Sequence, residues 1–148
     1  MTAPRILVVP GGTAISTVAL ANASIHKLVE LYEERQADPH HPAPHTVVFL
    51  RDPALVPPAT LRGSAATPEQ AFPEEDYPGL ANQIKNDPHF FDGVDLVIST
   101  SGSSAGKPRL VGLSMDALMA SLKATELALS GPGRWILALP THHIAGAM

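Results

Sequence analysis

Four short apolar runs, at residues 5–9, 46–50, 94–98 and 135–139, constrain what this chain can fold into more than any other feature. Each is too short for a helix with a buried stripe, and their near-continuous apolar character predicts strands covered on both faces. The first, Arg5-Ile6-Leu7-Val8-Val9, is closed by the turn signal Pro10-Gly11-Gly12. Val18, Asn22, Ile25, Leu28, Val29 and Tyr32 then recur at helical spacing, with Thr13 or Ser16 available as a cap and Glu30, Glu33, Glu34 and Arg35 for the wet side. Strand, helix and strand in this order suit a right-handed parallel crossover, so the fold class is α/β. The glycine pair lacks the spaced glycines of a dinucleotide-binding fingerprint and reads as a turn.

Residues 1–51 thus form a βαβ unit, and residues 52–92 change character, with Pro57-Pro58, Pro68, Pro73 and Pro78 among alanines and acids. This stretch predicts a surface excursion with one short helix over 79–86, carrying Leu80 and Ile84 on one side. Glu74-Glu75-Asp76 reads as solvated acids, because consecutive side chains point in different directions. His40, His41 and His45 lie between prolines with no helical register to converge their rings, so no metal site is assigned.

The remaining residues, 93–148, carry the chemistry. Ser99-Thr100-Ser101-Gly102-Ser103-Ser104-Ala105-Gly106-Lys107-Pro108-Arg109 joins hydroxyls, glycines and two cations, with no acid between Asp95 and Asp116. Small residues let successive backbone N–H groups turn inward, and hydroxyls and cations complete a cradle for phosphate. An ordinary polar hairpin tip has the same composition. Leu110-Val111-Gly112-Leu113 predicts the strand leading out, followed by a helix over 115–129 capped by Ser114, with Asp116 in its first turn and Met115, Leu118, Leu122 and Leu129 as its buried stripe. Ser130-Gly131-Pro132-Gly133 stops it.

Two rival chemistries fit poorly. A Walker loop needs one more residue between Gly102 and Gly106, and Pro108 stands where its metal-binding hydroxyl belongs. Ser101 or Ser103 as a nucleophile, with His142 or His143 as base, lacks the Gly-x-Ser-x-Gly elbow.

The loop from Thr100 to Arg109 resembles the phosphate-binding loop of the adenylate-forming acyl-CoA ligases, Thr-Ser-Gly-Ser/Thr-Thr-Gly-x-Pro-Lys-Gly. A second segment, Leu139-Pro140-Thr141-His142-His143-Ile144-Ala145-Gly146, is similar to the family's Pro-x-x-His-x-x-Gly, with His143 at the motif histidine. Within the family, the stretch from Gly131 to Pro140 and the paired histidines look most like the o-succinylbenzoate–CoA ligases of menaquinone biosynthesis, especially their compact members. The departures are an extra residue at Ala105, arginine for lysine at Arg109, and Leu110 where many members have glycine. Arginine keeps the charge with a different fork geometry.

The resemblance implies part of the large N-terminal AMP-binding domain, a mixed sheet with flanking helices and a hairpin phosphate loop. It implies ATP, Mg2+ and coenzyme A in the complete enzyme, of which this chain would touch at most the ATP phosphates, and a small-molecule carboxylate as substrate. Thr100, Ser101, Gly102, Ser103, Ser104 and Gly106 would form the cradle, with Lys107 and Arg109 as cations. His143 would line the acyl pocket, and His142 would help to shape it or serve the fold. The family's magnesium-holding glutamate, ribose-binding aspartate, hinge arginine and C-terminal-domain lysine follow the histidine segment, so the chain reads as an N-terminal portion with the C-terminal domain absent. The alternative is a non-catalytic phosphate-binding or interaction module, completed by a second polypeptide.

Composition limits the partners. At 148 residues, 45% hydrophobic and 16% charged, the chain suits one soluble globular domain. A net charge of −4 argues against nucleic-acid and anionic-membrane binding. Cysteine is absent, which removes disulfides and thiolate chemistry. No apolar run approaches the roughly 18 residues of a membrane span, and no signal-peptide pattern opens the chain, so the expected location is the cytoplasm. Incubated alone with o-succinylbenzoate, ATP, magnesium and coenzyme A, the chain is expected to form no thioester by mass spectrometry; sustained turnover would contradict the N-terminal-portion reading.

Overall fold

The computed structural model describes residues 4–40, 44–55, 65–100, 109–133 and 141–142. Four of the expected strands form there; three of them, β1 (Arg5–Pro10), β2 (Thr46–Arg51) and β4 (Leu96–Thr100), lie parallel, in the order β1-β2-β4. A two-residue strand, β3 (Ala65–Ala66), pairs antiparallel with β1, and β5 (Arg109–Leu113) pairs antiparallel with β4. The result is a mixed five-stranded sheet, β3-β1-β2-β4-β5, as the α/β expectation required. The expected strand at 135–139 lies outside the described residues.

Alternation along the parallel strands builds two cores. Val9, Val48, Leu50, Leu96 and Ile98 face one side, where α1 (Ile15–Ala37) brings Ala21 and Leu28 and α4 (Met115–Ala128) brings Met115. Ile6, Val8, Val47, Phe49 and Val97 face the other. That second face corrects the expectation of a mere surface excursion after Asp52. Ala71 of α2 (Pro68–Ala71), Phe72, Tyr77 and Phe91 are buried on it, and Leu80 and Ile84 of α3 (Leu80–Asn86) pack beside them. Phe72 stacks on Phe49 with ring centroids 5.0 Å apart and meets Tyr77 edge-on at 5.7 Å. Thr67 and Gln70 form a reciprocal capping box that starts α2 directly before this aromatic cluster.

Asp95, immediately before β4, joins the layers. Its carboxylate accepts from Arg35 Nη2 of α1 at 2.9 Å and from the Met115 N–H that opens α4 at 2.8 Å. Its backbone N–H donates to Leu113 O and its carbonyl accepts from Val48 N. Placing an acid here moves the start of β4 to Leu96, two residues later than the apolar run predicts.

The helices differ from expectation at their ends. Neither Thr13 nor Ser16 caps α1: its N-cap is Ala14, without a side-chain bond, while Thr17 Oγ1 donates to Ala14 O at 2.8 Å. Ser114 does cap α4, accepting from Ala117 N at 3.1 Å. Asp116 in the first turn accepts from Tyr32 Oη at 2.8 Å, which ties α4 to α1. Met115, Leu118 and Met119 pack on the sheet, but Leu122 and Leu129, expected in the same stripe, are exposed along with Leu127. Only the first half of α4 lies over the core. No helix among the described residues is long and apolar enough to cross a membrane.

Two measurements check this architecture. Asp95→Asn removes the charge that serves Arg35 and the α4 N-terminus in a nearly dry site, and is expected to lower unfolding free energy by about 2–4 kcal/mol in urea denaturation. The chain's two tyrosines both hold their protons above the ordinary value of 10.0, Tyr32 chiefly through its bond to the Asp116 carboxylate and Tyr77 chiefly through burial. Because the folded state favours the neutral phenols, their contribution to stability is complete below that ordinary value and is lost as pH rises through the folded values. Ultraviolet titration of the native chain is therefore expected to show both phenols ionising late, and denaturant should bring them back to the ordinary range.

Candidate functional site

In parallel sheets the carboxyl ends of the strands share one edge, and ligands gather there. Here that edge is made by the residues that follow β1, β2 and β4. Val9 pairs with Leu50, and Leu50 with Ile98. Two residues further along, Gly11, just past the end of β1, and Thr100, the last residue of β4, therefore stand level on either side of β2, separated by two strand spacings, about 10 Å.

Thr100 is the last residue of β4 and pairs with Arg109, the first of β5. Its hydroxyl donates to Arg109 O at 3.3 Å. The two residues are the posts of the hairpin loop that the sequence singles out. Thr100 is half-buried, and Arg109 is exposed, so its guanidinium remains open to an anion. Ser101, Gly102, Ser103, Ser104, Gly106 and Lys107, the other expected phosphate contacts, lie outside the described residues, as does His143.

The histidine segment enters the site through Thr141 and His142. Thr141, only 4% exposed, lies against the turn after β1. Its N–H donates to Gly12 O at 3.2 Å, and its Oγ1 accepts from Gly12 N at 3.2 Å. His142 is half-buried, with its Nδ1 atom wholly so, and packs over Gly11. The turn after β1, which the sequence presents as a bare turn, is thus in contact with the second motif. The loop posts and the start of the histidine segment share one edge of the sheet.

Arg51 is a polar residue on this edge that sequence reasoning missed. It ends β2 with its side chain fully buried on the aromatic face, its guanidinium 5.3 Å from the centroid of the Tyr77 ring. Its Nη2 donates to Leu55 O at 2.8 Å and to the Asp76 carboxylate. Arg51 Nε and Nη1 and Tyr77 Oη are buried with no hydrogen-bond partner among the described residues. The acids at 74–76 are accordingly not all solvated. Asp76 pairs with Arg51, and the Glu74 carboxylate accepts from Gly79 N, the N-cap of α3, at 2.9 and 3.0 Å. The signal was a cation closing an apolar run, which needs a buried acid somewhere else in the chain.

The loop histidines serve the fold where they are described. His45 Nε2 lies 2.8 Å from Val94 O and 3.9 Å from Asp95, and the His40 N–H donates to Asp38. His41 lies outside the described residues. No group of three or more potential metal ligands occurs among the described residues.

Comparison with known proteins agrees with the resemblance read from the two motifs. The chain is 37% identical over 105 residues to proteins named probable 2-succinylbenzoate–CoA ligase from two strains of Mycobacterium tuberculosis, CDC 1551 and H37Rv. The match takes in 71% of this chain and 23% of each relative, so the chain spans under a quarter of the length of the curated relatives it matches. No family model and no solved structure matches the chain.

Proposed function

We propose that this chain is the N-terminal portion of a cytoplasmic adenylate-forming acyl-CoA ligase, acting on o-succinylbenzoate in menaquinone biosynthesis, and that it supplies the phosphate-binding wall of the active site. The observation that carries this reading is the shared carboxyl edge, where Thr100 and Arg109 hold the ends of the loop and Thr141–His142 begins the histidine segment. The likeness to probable 2-succinylbenzoate–CoA ligases supports it independently. The residues also suit a phosphate group: an exposed cation and a hydroxyl stand at the loop posts, and no acid between Asp95 and Asp116 opposes an anion.

In the reaction so proposed, a substrate carboxylate oxygen bonds to the α-phosphorus of ATP as the bond to the pyrophosphate oxygen breaks. The electron pair of that bond leaves with pyrophosphate. The thiol of coenzyme A then attacks the acyl carbon, loses its proton and displaces AMP. Negative charge grows on the pyrophosphate oxygens in the first step, and this is where the chain's residues act. Backbone N–H groups of Gly102 and Gly106 and the hydroxyls of Ser101, Ser103 and Ser104 would donate to those oxygens, as would the Thr100 hydroxyl on turning away from Arg109 O, with Lys107 and Arg109 supplying positive charge. Mg2+ would share the neutralisation, held by residues other than these. His143 would orient the attacking carboxylate.

Calorimetric titration of the chain with ATP and with pyrophosphate tests the reading. Lys107→Ala and Arg109→Ala are each expected to weaken pyrophosphate binding by about tenfold or more, the worth of one charge-assisted hydrogen bond. Arg109→Ala should leave the melting midpoint unchanged, because the side chain is exposed. Binding that survives both substitutions intact would overturn the assignment of the loop.

A further inference from the structure

Gly11 and Gly12 are adjacent glycines with different physical requirements, and both requirements concern the same distant segment. A Cβ placed on Gly11 would stand 2.2 Å from His142 Cβ and 2.6 Å from its Nδ1, closer than any side chain tolerates. Gly12 has φ +137°, a backbone conformation that other residues rarely adopt. Its peptide is bonded from both ends by one residue: its N–H donates to Thr141 Oγ1 at 3.2 Å, and its carbonyl accepts the Thr141 N–H at 3.2 Å. The same carbonyl lies 3.4 Å from Thr141 Oγ1. The Gly11 N–H is occupied by Arg51 O at 2.8 Å, so the turn is itself fixed to the end of β2.

An ordinary tail lying on a sheet needs neither a missing Cβ nor a hydroxyl directed at one peptide. We infer that the Gly11–Gly12 turn and Thr141 form a seat that positions His142, at the described start of the histidine segment, on the carboxyl edge, level with the loop posts. Gly11 admits the His142 side chain, Gly12 presents its N–H and carbonyl to Thr141, and Thr141 holds both. These are positioning residues that act through the segment they hold. What the positioned His142 imidazole serves rests on the ligase reading; the seat itself does not.

Diethyl pyrocarbonate footprinting of the full chain, read by mass spectrometry, tests the seat. His142 is expected to react more slowly than His26, which is exposed on α1 and serves as an internal reference. Thr141→Val keeps the shape and removes the hydroxyl, so labelling of His142 should accelerate by about tenfold, as expected for one lost hydrogen bond. Thr141→Ser should restore the protection, and Gly11→Ala should abolish it. Should Gly11→Ala fail to fold, the valine and serine variants decide alone. Protection that is unchanged in Thr141→Val, or lost equally in Thr141→Ser, would overturn the seat.

A second readout separates positioning from simple packing. With nitrogen-labelled histidine, pyrophosphate is expected to shift the His142 imidazole resonances in the wild-type chain. Thr141→Val should keep the pyrophosphate affinity within about twofold, since the loop posts are untouched, yet lose that shift. A shift that survives the substitution counts against positioning. Absence of pyrophosphate binding in the wild-type chain would instead sink the ligase reading, while the footprint still decides the seat.

Discussion

The carboxylate of Asp95 is the constraint on which the layers depend. A sheet with helices on both faces needs something to fix each helix along its axis, because apolar contacts resist separation but permit sliding. Asp95 supplies that fixed point: one oxygen takes Arg35 near the end of α1, the other takes the first N–H of α4, and the backbone of the same residue bonds to β2 and β5. A negative charge at the start of α4 also meets the positive end of that helix's dipole. The amino edge of the parallel strands is thereby tied together by polar bonds.

The two sides of the sheet are stabilised by different chemistry. On the α1 side, aliphatic side chains at helical spacing meet aliphatic side chains at strand spacing. On the other side, Phe72 stacks with Phe49 and Phe91 and meets Tyr77 edge-on, and the Arg51–Asp76 pair closes the cluster beside Tyr77. A buried pair of this kind gives little net stability over an apolar pair, but it penalises every arrangement that separates the charges. It therefore fixes the path of residues 72–77 across the sheet.

These differences explain which features were legible in the sequence. The strands at 5–9 and 46–50, α3 and the Ser114 cap could be read because a local pattern specifies each of them. Phe72, Tyr77 and Phe91 could not, because their spacing follows neither the strand nor the helix period and prolines surround them. The outward face of Leu122 and Leu129 was misread for the converse reason: helical spacing predicts a stripe, but not how far the sheet extends beneath it. At the candidate site, the chemistry of the loop was visible as composition and the hairpin followed from the runs at 94–98 and 110–113, but the sheet carries those strands on to Thr100 and Arg109, which the apolar pattern does not reach. The contact between Gly11 and His142 had no local signature, because each half is unremarkable without the other.

That contact also sets an order of assembly. Gly12 and Thr141 are 129 residues apart, so their bonds close almost the whole chain into a ring. Bringing together ends so far apart costs configurational entropy, and the bonds that offset it are few until β1 and β2 have paired and fixed the turn. The seat can thus form only after the sheet it sits on. A molecule in which the sheet is complete and the ring still open would have a finished core and an unfinished carboxyl edge, so that edge is the part of the fold whose formation is most easily delayed or reversed.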